Sequence, residues 1–371
     1  MKPLRMAVIG AGRLGGFHAQ KAAANPDVEL VAVVDPVPAA RNRVAAECRT
    51  KAAADYRGLA GSIDAAIVAS PTKLHHRIAL DLARQGIHLL VEKPLCASLA
   101  EADELVEAAD AAGIVLQVGH VERFSPAFVT AAPYLAQPKY IEAVRASGFT
   151  FRSTDVGAVL DLMIHDIDLI LSLVGSPVRR VEAMGVSVIG GHEDVANARI
   201  TFESGCVATL SASRVHRAAT RRMQVWTPRT YVELDFGALT VAVVQPSESL
   251  LRREFDIEEL SPAEVEWFKD HLLDEHLPQE QIRCERIDAL AAQQADFVES
   301  IRAPRRPRVS GRQGRDALAL AEDILGKIHT HAWDDQADGP VGPMAVPRPS
   351  VVPAPHWSRA PVDAPLRRAA G

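Results

Sequence analysis

Short apolar runs at residues 6–9, 28–34, 65–69, 87–91 and 114–118 alternate with alanine-rich stretches of helical character, the first at 13–24. Brief apolar runs closed by Gly, Pro or Asp are the pattern of strands buried on both faces. Strands alternating with helices predict right-handed βαβ units and a parallel sheet. The alternation stops near Gly119-His120. Beyond it the pattern predicts a helix at 126–136, a strand at 140–149 and a strongly apolar helix at 159–174. Strand-like runs follow at 178–188, 196–202, 207–213, 223–227, 231–236 and 239–243 with no helices between them, which predicts a mainly antiparallel sheet. Helices at 287–301 and 314–329 close the periodic part.

The fold class expected is therefore α/β in two domains: a dinucleotide-binding domain over 1–121, and a substrate and oligomerisation domain over 122–331. A length of 371 residues agrees, because it exceeds what one core usually supports. From 332 onward the chain is rich in Pro and Ala without periodicity, and a disordered tail is expected. No apolar run is long enough to span a bilayer, and the N-terminus has no signal-peptide core, so a cytoplasmic protein is expected. The four cysteines form no CxxC pair, which argues against a disulfide framework or a thiolate metal site. A net charge of -6 argues against nonspecific nucleic-acid binding.

Gly10, Gly12 and Gly15 form G-x-G-x-x-G between the first strand and the first helix. Gly10 suits the tight turn, Gly12 lets the backbone approach a pyrophosphate, and Gly15 lets helix and strand pack closely. The helix N-terminus, carrying Arg13 and Leu14, faces the phosphate charge. Asp35 ends the second strand about 20 residues further on, where a carboxylate accepts the ribose hydroxyls and repels a 2′-phosphate. NAD is thus expected over NADP, although Arg13 or Arg41 could reach a 2′-phosphate.

Glu92-Lys93-Pro94 follows the strand at 87–91, and ligands of doubly wound sheets sit at such carboxyl ends. Glu92 is positioned to hold the Lys93 ammonium or to reach the cofactor. On the apolar helix at 159–174, Asp161, His165 and Asp168 fall at i, i+4 and i+7 and are expected to share one face. Buried carboxylates and an imidazole are costly unless paired or functional. No further His or Cys lies near at ligand spacing, so no metal is expected.

The glycine fingerprint, Ser70-Pro71-Thr72 with His75, Glu92-Lys93-Pro94 and Asp161-x-x-x-His165 together resemble the glucose–fructose oxidoreductase / inositol dehydrogenase (Gfo/Idh/MocA) family over residues 4–330. The resemblance implies a Rossmann domain plus an α/β domain with an open sheet, through which dimers or tetramers often form. It implies that Lys93, Asp161 and His165 are catalytic, and that Ser70, Pro71, Thr72 and His75 line the nicotinamide side. Many relatives carry a glycine pair before the catalytic helix; here the stretch is Thr154-Asp155-Val156-Gly157. Residues 119–124, 152–156 and 160–166 are most similar to bacterial UDP-N-acetylglucosamine 3-dehydrogenases, which oxidise the sugar 3-hydroxyl on the way to amide-linked lipid A.

Removing a hydride from a secondary alcohol leaves a proton to accept and an alkoxide to stabilise. His165 oriented by Asp161 is the candidate base and Lys93 the stabiliser, with the reverse assignment open. Arg123, Phe124 and Arg152, with Arg214, are candidates for contacting a diphosphate-linked sugar, since a guanidinium fork matches phosphate. Arg217, Arg221 and Arg222 are expected in a solvated loop. Two competing readings are a dehydrogenase of a free inositol or aldose, and a non-catalytic NAD-binding sensor.

Overall fold

The computed structural model describes residues 2–151, 156–189, 192–254, 257–303 and 305–331. The first half is β1 (Leu4–Ile9), α1 (Arg13–Ala24), β2 (Val28–Val34), α2 (Pro38–Cys48), β3 (Lys51–Ala53), β4 (Ala65–Val68), α3 (His75–Ala83), β5 (His88–Val91), α4 (Leu99–Ala112) and β6 (Leu116–Val118). The six strands pair in parallel in the order β3-β2-β1-β4-β5-β6. The order reverses between β1 and β4, which opens a crevice at the carboxyl ends of those strands. β3 was not expected: three partly exposed residues carry no apolar run to detect.

The second half holds α5 (Pro126–Ala131), β7 (Tyr140–Ala146), a π-helical turn (Val159–Met163) and α6 (Ile164–Val174). Then come β8 (Val178–Val186), β9 (Val195–Phe202), β10 (Val207–Ser213), β11 (Thr220–Trp226), β12 (Tyr231–Asp235) and β13 (Thr240–Val244). After short α7 (Glu248–Leu251) and α8 (Pro262–His271), β14 (Gln279–Arg283) joins the sheet before α9 (Ala289–Arg302) and α10 (Gly311–Thr330). The order β14-β13-β12-β11-β7-β10-β9-β8 is antiparallel except for β7 with β10. The helix expected at 126–136 stops early, because Pro133 cannot continue the amide ladder.

Side chains alternate across this sheet. Ile141, Ala143, Met223 and Val225 are buried in one core with Met163 of the π-helical turn and Ile167 and Ile170 of α6. The opposite face carries Tyr140, Trp226 and Tyr231, their rings packed at a tilt with centroids 5.0 and 4.9 Å apart. The unit expected over 122–331 is not self-contained. Phe297 and Val298 of α9 are buried in the first core with Met6 and Val8, and Gln117 bridges to Ser310. The chain thus returns to its first half after building the second. Residues 332–371, where the tail was expected, lie outside the described residues, and no described helix is long and apolar enough to cross a membrane.

Candidate active site

The glycine loop is shaped by close backbone approach. Gly10 has φ +104°, and a Cβ there would come within 2.5 Å of the Ala69 carbonyl oxygen. A Cβ on Gly15 would stand 1.9 Å from the Gly10 carbonyl oxygen, whereas one on Gly12 would meet nothing. Two glycines therefore close the turn and the third leaves open space at the start of α1. Asp35 accepts from the Ala11 amide at 2.8 Å and the Val37 amide at 2.8 Å, which fixes its carboxylate beside the loop. Arg41 donates to the Asp35 and Pro36 carbonyls, and the Arg13 guanidinium lies 5.6 Å from the Phe17 ring centroid. Leu14 is partly exposed on the first turn of α1. An open glycine turn, a free helix N-terminus and a pinned carboxylate fit a dinucleotide.

His75 is buried, not lining the cleft as expected. Its ring nitrogens face the Pro94 carbonyl at 3.0 Å and the Ser70 carbonyl at 2.8 Å. It ties the loop after β4, which carries Ser70, Pro71 and Thr72, to the loop after β5. Glu92 also departs from expectation. Its carboxylate accepts from His18 Nε2 at 2.7 Å and from the Lys93 amide, and Gln294 engages the other His18 nitrogen at 2.9 Å. Glu92 thus holds the β5 loop against α1 and leaves the Lys93 ammonium to the other half of the molecule.

Lys93 Nζ donates to the Asp161 carbonyl at 2.7 Å and lies 3.4 Å from Asp161 Oδ1. The contact falls on the π-helical turn, and such turns frequently mark functional sites. Glu193 supports the start of that turn by accepting from the Val159 amide at 3.0 Å, and a Cβ on Gly157 would collide with its carboxylate at 2.0 Å. The glycine retained in this departing stretch is the one the support requires.

His165 is half-buried, and its Nδ1 has no partner among the described residues. Asp161 therefore does not orient it through a hydrogen bond, contrary to expectation. Burial, followed by the Lys93 charge, pushes the imidazole well below its ordinary range. His120 packs edge-on against it with ring centroids 6.4 Å apart. His120 is fully buried with neither nitrogen partnered among the described residues, and burial pushes it down to about 3.

Asp168 does not share the stripe. It faces Arg123 at 3.5 Å, in a cleft with Ser172, Gln313 and Asp316, and burial raises its carboxyl to about 7. Asp166 holds the central position instead. Arg145 of β7 donates to both Asp166 oxygens at 3.0 and 2.8 Å and to Glu122 at 2.7 Å. Sequence reasoning missed Arg145 because it is one arginine in an ordinary strand, with partners 21 and 23 residues away. Burial on the helix-facing parity of β7 is the signal that could have found it.

Of the expected substrate contacts, Phe124 is buried in the first core beneath the Arg308 guanidinium, and Arg123 is engaged with Asp168 and the Arg308 carbonyl. Arg214 is held by Asp194 at 2.6 Å and the Val156 carbonyl at 2.6 Å. Arg152 lies outside the described residues. Arg221 and Arg222 are on β11 and not in a loop.

Residues 4–120 match the family model described as oxidoreductase family, NAD-binding Rossmann fold, and residues 132–232 match the GFO/IDH/MocA C-terminal domain. The chain belongs to the Gfo/Idh/MocA family of NAD-binding oxidoreductases. Within it, the chain is 35% identical over 326 residues to a UDP-N-acetylglucosamine 3-dehydrogenase of Acidithiobacillus ferrooxidans, covering 86% of this chain and 96% of the relative. The solved structure of that enzyme superposes with a TM-score of 0.77 at 34% identity, covering 88% and 98%. A scyllo-inositol 2-dehydrogenase (NAD(+)) of Bacillus subtilis is 31% identical over 230 residues, covering 57% and 67%.

Proposed function

We propose that this chain oxidises the 3-hydroxyl of UDP-N-acetylglucosamine to the 3-keto sugar with NAD. The carrying observation is Lys93, on the cofactor half, bonded across the crevice to the π-helical turn beside a neutral His165. NAD, held with its pyrophosphate at the glycine loop, would supply the hydride acceptor. His165, with Nδ1 enclosed, takes the hydroxyl proton at Nε2. Its lowered value keeps the imidazole in the neutral form with a lone pair free, as a weaker base than an exposed histidine. Lys93 directs its ammonium at the oxygen as negative charge develops there. Asp161 positions Lys93 through two oxygens. A sensor would need none of these groups together.

The relative named for a nucleotide-sugar supports that substrate over a free polyol, because this chain is more identical to it, 35% against 31% for the scyllo-inositol enzyme. The aromatic face of the eight-stranded sheet supports pairing with a second copy of the chain. The test mixes purified protein and NAD with UDP-N-acetylglucosamine, N-acetylglucosamine or myo-inositol, and follows NADH. NADH formed with UDP-N-acetylglucosamine, with product two mass units lighter, is expected. NADH formed only with myo-inositol would replace this reading by the polyol one, and none with any sugar would favour the sensor.

A further inference from the structure

A diphosphate needs a guanidinium whose donors are not already engaged. Around the crevice, Arg123, Arg145 and Arg214 are each bonded to a buried carboxylate. Arg221 differs. It stands directly opposite Arg145 in the β7–β11 register, on the same side of the sheet as buried Met223 and Val225. Cross-strand partners share a face, so Arg221 continues the row that packs beneath the catalytic helix, one position past its cover. Its backbone is held by β7 and by the Phe236 amide donating to its carbonyl at 2.9 Å, while its side chain is exposed. No carboxylate is bonded to its guanidinium among the described residues.

The charges explain why it stays there. Arg145 lies between Glu122 and Asp166, two carboxylates against one cation. The excess negative charge attracts Arg221 without occupying its N–H donors. Its field also reaches His165 and Asp166. Arg222 is the internal contrast: it points to the other face and pairs with Asp235 at 3.3 Å. In a hexopyranose the 3-hydroxyl and the anomeric phosphate sit on ring carbons separated by one carbon, so they are near each other without sharing one contact. A phosphate-binding cation must therefore stand beside the proton-accepting imidazole and not against it.

We propose that Arg221 binds the diphosphate of the substrate and so sets the preference for a nucleotide-linked sugar; this rests on the nucleotide-sugar reading above. The test uses the full chain with Arg221→Ala, Arg221→Lys and Arg222→Ala. Binding of UDP alone is measured by calorimetry, and kinetics are measured with UDP-N-acetylglucosamine. Loss of a charged bidentate contact typically weakens binding about 10- to 100-fold. That loss is expected in the UDP Kd and in KM for Arg221→Ala, with kcat and NADH affinity near wild type. Partial recovery is expected for Arg221→Lys and no change for Arg222→Ala. If wild type turns over UDP-N-acetylglucosamine while Arg221→Ala keeps its KM and UDP affinity, the assignment is overturned and the substrate reading stands. A fall in kcat alone would also overturn it, placing Arg221 in the field at His165. If wild type neither binds UDP nor oxidises its sugar, both fall.

Discussion

The glycine loop and the helix that carries His165 are built on opposite plans. The loop gathers Gly10, Gly12, Gly15 and Asp35 within one βαβ unit; the glycines act through their own backbone and Asp35 through the Ala11 and Val37 amides. The helix draws partners from far along the chain: Lys93 from β5, Arg145 from β7, His120 from the end of β6 and Arg221 from β11. Local geometry makes a site whose parts can be separated. Long-range charge pairing makes one in which each side chain decides whether its neighbour is free or engaged.

The largest stability effect expected from this contrast lies in the loop itself. Gly15→Ala forces a methyl to 1.9 Å from a carbonyl oxygen that cannot move independently, and should cost about 3 kcal/mol, at the upper end of overpacking effects. Gly12→Ala meets open space and should leave the urea midpoint unchanged while weakening NADH binding. Equal destabilisation by both would show that the loop is not organised by close approach.

A smaller effect belongs to the helix side. Burial keeps His120 neutral down to about 3, with Lys93 and Arg123 adding to the depression. An unfolded histidine takes up a proton near 6.5, so as pH falls below that value the unfolded chain gains a proton that the folded one refuses. Stability contributed by neutral His120 is fully present above 6.5 and is lost progressively toward about 3. The slope is at most about 1.4 kcal/mol per pH unit. His120→Leu should flatten the fall in urea midpoint between about pH 6 and 4 relative to wild type. An unchanged slope would mean that His120 titrates alike in both states.

The same contrast explains what the amino-acid pattern discloses. Most strands of both sheets were legible, because apolar runs report burial directly. The glycine loop was legible because its chemistry is a spacing. The identity of Lys93, Asp161 and His165 as site candidates came from position and family resemblance. Their partners did not: helical periodicity placed Asp168 on the stripe, but it pairs with Arg123, which lies 45 residues earlier in the chain. Glu92 and His75 looked like site-lining groups and are instead ties between loops, which depends on His18 and Pro94 folding against them. Which arginine is left unengaged depends on all the other pairs, and no local pattern carries that information.

The proposed function divides the labour, with the first half binding the cofactor and the second completing the chemistry. The direct measurement compares NADH affinity with kcat on UDP-N-acetylglucosamine for His165→Ala and Asp161→Asn. Acid–base or electrostatic roles predict that kcat falls by roughly 10²–10⁴-fold for His165→Ala and falls for Asp161→Asn, while the NADH Kd stays within about twofold of wild type. Wild-type kcat in both variants, or NADH affinity lost in step with turnover, would contradict it.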